Sequence, residues 1–436
     1  MIKIVVLGSG FGGMEAVLEL EEKLGKRDDV SITLVSSQNF TLFTPLLPQV
    51  VSSFIEPRHI EQEVRDIRRD KNFTFIRDNV VGFDLQRKIV KLSELDLPYD
   101  YLVIALGSTT NYFKVPGAEE NTFPVKTLQD SIELRDHIID ILEHADHEGN
   151  SGYKRELLTF VVVGGGYTGV EVVTELHDFL HGDKVKSYRG IDCKDVRIVL
   201  VEAGEKVLEG FDPTLADRAQ KRLLKEGIEI RTKSTVTRCF TNGIEINNKE
   251  IIKAGIVIWA AGVRANPVLE SLPVKKGKFG RILVNDYLQV PDSPEIYAIG
   301  DNAMLERGNP GKSSQPIAPV AIHQGRVAAQ NIVNTIGNKS PVEYSFAPQG
   351  MLVSLGTNDA VITIKGRRFS GFFAWLFWNA VHLLKLVGFK KQVQVFLDWM
   401  LATAFPRDSA ILRFPQRCPI CAKKVEPGAE SERRIA

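Results

Sequence analysis

The chain has 436 residues, 55 Lys and Arg against 54 Asp and Glu, and 44% hydrophobic residues. That length exceeds what one hydrophobic core fills, so two to three domains are expected, and a net charge of +1 gives no reason to expect nucleic acid as a partner. Four cysteines (Cys193, Cys239, Cys418, Cys421) exclude a disulfide framework and favour a reducing cytoplasm.

The opening stretch MIKIVVLGSG reads as a buried strand, with neither the basic leader nor the cleavage site of a secretory signal. It runs into Gly8-x-Gly10-x-x-Gly13 and then a helical pattern. In such a turn the first glycine permits the sharp bend and the second lets backbone approach a pyrophosphate. The third lets the helix pack on the strand. The phosphates then rest on free N–H groups at the positive end of the helix. The next strand, SITLVS, ends in Ser36 and Ser37, where a ribose-binding acid would often stand. YDYLVIALGS, Tyr99 to Ser108, is another strand, closing in small residues that suit close backbone contact with a ligand.

The charged, histidine-rich segment EHADHEGNSGYKRE is expected to be a linker, with the core of the next domain starting at Leu157. FVVVGGGYTG then repeats the glycine turn as Gly164-x-Gly166-x-x-Gly169. One copy would be a weak signal; two copies, each between strand and helix, argue for two dinucleotides in one chain. The strand VRIVLVE ends in Glu202, placed to accept hydrogen bonds from a ribose 2′-hydroxyl and to repel a 2′-phosphate. NAD is therefore favoured over NADP, with Arg197 and Lys206 nearby as the opposing feature. EIYAIGDNA ends in Gly300-Asp301, where an aspartate can bond the ribityl hydroxyls of a flavin.

The C-terminal region differs in character. From Lys365 to Lys424 there are eleven Lys or Arg against two acidic residues, interleaved with Trp and Phe. Residues 372–387 are apolar except for Asn379, His382 and Lys385, which are three apart and form one polar seam on a helix. A second helix carries Val393, Phe396, Leu397, Met400 and Leu401 on one face, and Lys391, Gln394 and Asp398 on the other. Both are short of the ~20 apolar residues a spanning helix needs. With Trp375, Trp378, Trp399, Lys390 and Lys391 they suit helices lying on a membrane surface; a dimer interface would use the same composition. Cys418-Pro-Ile-Cys421 is half of a zinc knuckle, and a surface thiol pair explains it as well, so no complete metal site is expected. The final EPGAESERRIA reads as disordered.

By these motifs the chain resembles the two-dinucleotide-binding-domain flavoproteins, and within them the type II NADH dehydrogenases, single-subunit NADH:quinone oxidoreductases. The likeness includes NFTLFTPLLPQV, VIWAAGVRANP, GMLVSLGTNDAV and the C-terminal GFFAWLFWNAVHLLKLVGFKKQVQVFLDW. It implies an α/β fold: two Rossmann-like dinucleotide-binding domains, for FAD and NAD, plus a C-terminal membrane-docking domain with amphipathic helices. The boundaries expected are 1–118 and 265–335 for the discontinuous FAD domain, 119–264 for the NADH domain, and 336–436 for the C-terminal domain and tail.

The resemblance also implies FAD on Gly8, Gly10, Gly12, Gly13, Ser36, Pro45, Val80, Ala105, Gly107, Asp301 and Ala321. NADH falls on Gly164, Gly166, Gly169, Glu202 and Gly262. Glu171, two residues past the last glycine, becomes a proton carrier beside the flavin; on the residues alone it is equally an acid favoured by the helix dipole. On the quinone side the family pattern carries two amides. Here Pro319 and His323 replace them, and Gln324 stands beside. His323 is a hydrogen-bond or proton donor to a quinone on this reading, or an ordinary helix histidine. NADH, a quinone, a membrane surface and a second copy of the chain are the implied partners, on the cytoplasmic side of the cell membrane.

Two other readings share the fold. Disulfide reductases need a cysteine pair after the first nucleotide turn, and no cysteine precedes Cys193. A sulfide:quinone oxidoreductase needs reactive cysteines beside the flavin, a position that suits neither Cys193 nor Cys239. A membrane-tethered flavoprotein that senses NADH with little turnover is the remaining alternative.

Overall fold

Alternating buried strands and amphipathic helices sort the chain into two compact units: Met1–Phe43, Glu61–Asn111 and Val263–Gln349 in the first, and Thr44–Ile60, Tyr112–Gly262 and Gly350–Ala436 in the second. The computed structural model describes residues 1–182, 185–305, 315–346, 350–408 and 410–411; the Cys418–Cys421 pair and the terminal tail fall outside them.

The first unit is built on a six-stranded sheet. Its order is Gln289–Val290, Ser293–Ala298, Tyr101–Ile104, Ile2–Leu7, Val30–Ser36 and Thr74–Arg77, parallel except for the first strand. Strand Ile2–Leu7 sits in the middle, and its last four residues are all buried. A continuous apolar run of this kind is what a parallel strand covered on both faces requires. Helices Phe11–Leu24 and Ala318–Ile336 pack against each other, burying Ala16, Val17, Leu20, Ala328, Ala329 and Ile332.

The second unit repeats the plan with a five-stranded parallel sheet. Its order is Phe123–Pro124, Ile256–Trp259, Thr159–Val163, Arg197–Val201 and Glu229–Arg231. Strand Thr159–Val163 is central and buried at every residue. Gly350–Ser354, Ala360–Ile364 and Arg367–Ser370 form an antiparallel sheet in this unit, followed by helices Phe372–Lys385 and Phe389–Ala404.

Two expectations change. The segment expected to be a linker is helical: helix Leu128–His147 runs through its first part, and helix Ser151–Leu157 takes up the rest. The cause is local, because the Asn150 side chain accepts from the Gly152 and Tyr153 amides and caps the new helix. Residues 44–60 belong with the second unit, where helix Leu47–Val51 packs on helices Leu128–His147 and Tyr167–His181.

Both central strands feed a glycine turn with the same close approach. A Cβ on Gly13 would lie 1.9 Å from the Gly8 carbonyl oxygen, and one on Gly169 would lie 1.8 Å from that of Gly164. Backbone stands in the way, so no rotamer relieves the clash. Gly169→Ala is expected to lift its helix off the strand and destabilise the protein by about 1–3 kcal/mol. Thermal melting measures this, and an unchanged melting temperature would show that the helix needs no such seat.

Candidate functional site

In the first unit the chain turns at Gly8, whose φ of +104° is in the region open to glycine. A side chain there would meet the Ala105 carbonyl oxygen at 2.2 Å. Gly10 then stands at the N-terminus of helix Phe11–Leu24 with nothing within 4 Å of where a Cβ would be. No side chain caps this helix and no acid occupies its first turn. Helix Leu128–His147, by contrast, has Thr127 and Asp130 in a reciprocal cap. An uncapped, acid-free helix start facing open space is the arrangement that receives a phosphate anion.

The other residues expected at FAD divide into two groups. Ala105 follows strand Tyr101–Ile104 and touches Gly8 and Gly13. Gly107 has a φ of +69° and open space around it, and Ser108 Oγ donates to Asp301 Oδ2. Gly300 packs against Ala321, and Ala321 against Gly12, so the start of helix Ala318–Ile336 joins the glycine turn. These features fit a diphosphate-bearing FAD. Ser36 Oγ shares a 2.9 Å hydrogen bond with Ser9 Oγ and accepts from the Gln38 amide. Val80 opens a separate three-stranded sheet, and Pro45 lies in the second unit.

His323 and Gln324 are neighbours on helix Ala318–Ile336 with different surroundings. The imidazole stacks on Phe346 with centroids 4.7 Å apart and leans on Tyr344 at 5.7 Å. Burial, then the Arg326 charge, lowers its pKa, which leaves it neutral and better suited to hydrogen bonding than to proton delivery. Gln324 is fully buried and its Oε1 accepts from the Gly300 amide at 2.6 Å. It holds the turn that carries Asp301.

The second unit presents a matching cradle. Gly164 has a φ of +105° and lies against Ala260 and Ala261. Gly166 starts helix Tyr167–His181, again uncapped, acid-free in its first turn and with open space at its Cβ position. Glu202 follows strand Arg197–Val201, and its two oxygens accept from the Gly165 and Gly204 amides, each at 2.6 Å. The carboxylate is thus fixed beside the turn, where an adenosine ribose would lie. Gly262 has a φ of +149°, with the Phe113 ring 3.3 Å from its Cβ position.

Glu171 lies on the same helix and accepts from the Ser354 amide at 3.0 Å. Part of the residue remains open, yet its carboxyl is deep enough that burial pushes the pKa up to about 8; the Ser354 amide opposes this and the Glu175 charge adds to it. One turn further on, Glu175 is 4% exposed and takes a 2.6 Å hydrogen bond from Ser52 Oγ. Its pKa is also raised by burial, with the Arg407 charge opposing. Arg407 approaches Glu175 at 3.4 Å while stacking over the Phe54 ring at 4.5 Å. Sequence reading missed Glu175, Ser52 and Arg407. The available signal was the spacing of Glu171, Glu175 and Asp178, which places three acids on one face of an otherwise apolar helix.

The C-terminal helices are amphipathic as expected, with the polar side turned inward. Asn379 of the expected seam is 6% exposed, and His382 stacks on Trp378 with centroids 3.8 Å apart, its pKa lowered to about 4 by burial. On the second helix Asp398 meets His59 Nδ1 at 2.6 Å and Trp399 donates to Gln49 Oε1 at 2.9 Å. Phe373 is 82% exposed, Leu384 77% and Phe389 80%, in company with Phe396, Leu397, Met400 and Leu401. Asn379 and His382 of the seam therefore face protein while Lys385 is exposed, and the apolar faces are open. Among the described residues no helix is long and apolar enough to cross a membrane.

Cys239 is buried in strand Val236–Phe240, and burial, followed by the Glu120 charge, pushes its thiol up to about 11, the inert form.

Residues 2–325 match the family model described as pyridine nucleotide-disulphide oxidoreductase, and residues 349–408 match the NDH2 C-terminal domain. The chain is 32% identical over 414 residues to a type II NADH:quinone oxidoreductase of Mycobacterium tuberculosis, covering 91% of this chain and 87% of that protein. It is 29% identical over 480 residues to an external alternative NADH-ubiquinone oxidoreductase, mitochondrial, of Yarrowia lipolytica, covering 93% and 80%. NDH2 of Plasmodium falciparum, solved in complex with NADH, superposes with a TM-score of 0.85 at 22% identity over 94% of this chain and 99% of that one. The sulfide:quinone oxidoreductase of Aquifex aeolicus shares the fold with a TM-score of 0.72 at 19% identity, over 90% and 92%. The chain belongs to the pyridine nucleotide-disulphide oxidoreductase family, in its type II NADH:quinone oxidoreductase branch.

Proposed function

We propose that this chain oxidises NADH and reduces a membrane quinone through FAD without pumping protons, working from the cytoplasmic face of the cell membrane. The observation that carries the reading is the pair of uncapped, acid-free helix starts, one in each unit, each behind its own glycine turn. Bound FAD supplies the two-electron chemistry that links NADH to the quinone. The protein's share is position and proton management. Gly164, Gly166 and Gly169 seat the NADH diphosphate, and Glu202 holds the ribose and disfavours a 2′-phosphate. Asp301, kept in place by Ser108 and the Gln324-held turn, orients the ribityl chain. Glu171, protonated through much of the neutral range, carries a proton, and Glu175 behind it sets how readily that proton leaves. His323 offers a hydrogen bond to the quinone.

The C-terminal helices supply the route to a lipid-soluble substrate. Asp398, Trp399 and Lys391 spend their polar atoms on internal contacts and the outward faces are apolar, with Lys385 and Lys390 exposed alongside. That pattern fits a helix pair resting in the headgroup region of an anionic bilayer. A second copy of the chain in a homodimer is open to the same faces, and sedimentation in detergent distinguishes pairing from lipid contact.

The central test is anaerobic. Adding NADH is expected to bleach the flavin absorbance and a quinone to restore it, while sulfide leaves it unchanged. In His323→Ala, bleaching by NADH should proceed at the parent rate while KM for the quinone rises. Bleaching by sulfide alone, or an unchanged KM in the variant, would remove the donor or the residue from this scheme.

Glu171 gives a stability signature. Its native pKa of about 8 lies above the ordinary carboxyl value of 4.5, so the folded state holds more protons than the unfolded state between those pH values. Stability conferred by the protonated carboxyl is present at low pH and is lost as pH rises from about 4.5 to about 8. Glu171→Gln is expected to flatten that decline, as read from melting temperatures across pH. A parallel decline in parent and variant would mean that the group titrates normally.

Charge placed on the apolar faces should detach the protein. Phe373→Glu together with Phe389→Glu is expected to abolish flotation with anionic liposomes and to leave NADH-driven bleaching intact. Flotation equal to the parent's would assign the anchor elsewhere.

A further inference from the structure

The far end of the Tyr167–His181 helix carries a cluster for which the electron-transfer scheme has no use. His177 and Asp178 stand there, and Glu226, just past helix Pro213–Lys225, joins them; one ligand-type atom from each lies within 4.8 Å of the other two. Two of the atoms are bare. His177 Nδ1 and Glu226 Oε2 are both buried without a hydrogen-bond partner. The Glu226 side chain is 9% exposed, and Arg222 takes only its Oε1. Asp178 Oδ2 accepts from the Thr357 amide, while Oδ1 sits 3.6 Å from His177 Nδ1, too far for a hydrogen bond.

A buried polar atom left unpaired costs about 1–3 kcal/mol, so two of them at one spot, beside the Asp178 carboxylate that His177 meets only at ion-pair distance, favour a common occupant. A neutral imidazole with two carboxylates offers one nitrogen and two oxygens and cancels a double positive charge. The negative end of the helix dipole adds to the attraction. Next to the cluster lies a cavity of about 270 Å³ bordered by His177, His181, Cys193 and Glu226, which leaves room for water and two further soft donors. His181 stacks on His177 at 4.5 Å and borders the same cavity. Lys194 on the cavity wall and Arg222 on Glu226 oppose any cation, and the imidazole favours an ion that bonds nitrogen well.

We propose that His177, Asp178 and Glu226 bind a divalent cation of the zinc class, with the cavity bordered by His181 and Cys193 as its open side. The consequence reaches the reaction through one short path. Asp178 holds the Thr357 amide, and three residues earlier the Ser354 amide holds Glu171. An ion on Asp178 therefore fixes the loop that sets the environment of Glu171.

The test uses the full FAD-loaded chain carrying Cys418→Ser and Cys421→Ser, so that the tail thiols take no part. After metal stripping, zinc chloride is titrated against a chromogenic zinc chelator. One equivalent should bind, and Glu226→Gln and His177→Gln should each weaken it by about tenfold or more, since even outer-shell changes around a metal cost about 10–100-fold. Unaltered flavin absorbance and melting temperature certify that the variants fold. Should a variant fail to fold, cobalt(II) in the unsubstituted site is read directly, and a spectrum with nitrogen ligation is expected. No bound equivalent, an affinity in both variants equal to that of the parent, or cobalt without nitrogen ligation overturns the proposal.

Discussion

In both nucleotide turns a carbonyl oxygen occupies the space that a side chain would need, so the helix descends directly onto the strand end. From this close approach follows the rest. The helix start is brought to the sheet edge with its amides uncommitted, and a diphosphate can then meet them. Because the neighbouring side chains add no acid to either first turn, the positive end of each dipole stays available. The geometry occurs twice with nearly equal dimensions, which is why one chain can hold an electron donor and an electron carrier together.

The second nucleotide helix does more than bind. Along its length it presents an uncapped start at Gly166, then Glu171, then Glu175, then His177 and Asp178. A carboxyl buried in a helix is stabilised in its neutral form unless a cation is supplied, and Arg407 comes within 3.4 Å of Glu175 but not of Glu171 among the ion pairs described. Burial pushes both acids toward the neutral form, and they differ in what opposes it. The more accessible one holds a proton near neutrality, and the deeper one is tied to Ser52 and Arg407, whose own positions depend on segments far away in sequence.

Much of this was legible from the residues. The glycine turns were, because positive φ and close backbone approach leave few residue types to choose from. Glu202 and Asp301 were, because each follows an apolar strand. What stayed hidden depended on contacts between distant positions: Ser52 is 123 residues from Glu175 and Arg407 is 232 from it. The same limit explains the C-terminal seam. Periodicity separates the faces of a helix but carries no information on which face meets the protein, and here Asn379 and Asp398 do.

That inversion is itself an argument about solvent. Were water the medium beyond these helices, turning them over would hide Phe373, Leu384, Phe389, Met400 and Leu401 and release Asp398 to solvent, gaining at about 25 cal/mol per Å² of apolar surface covered. The chain instead commits hydrogen bonds at His59, Gln49 and the Arg58 carbonyl to keep the polar side in. Such an arrangement lowers the free energy where the outward face meets another apolar surface, of a partner or of a lipid phase. On the proposed reading that phase is a bilayer, and a quinone dissolves in it, so the feature that would be a liability in water would bring the electron acceptor to the enzyme.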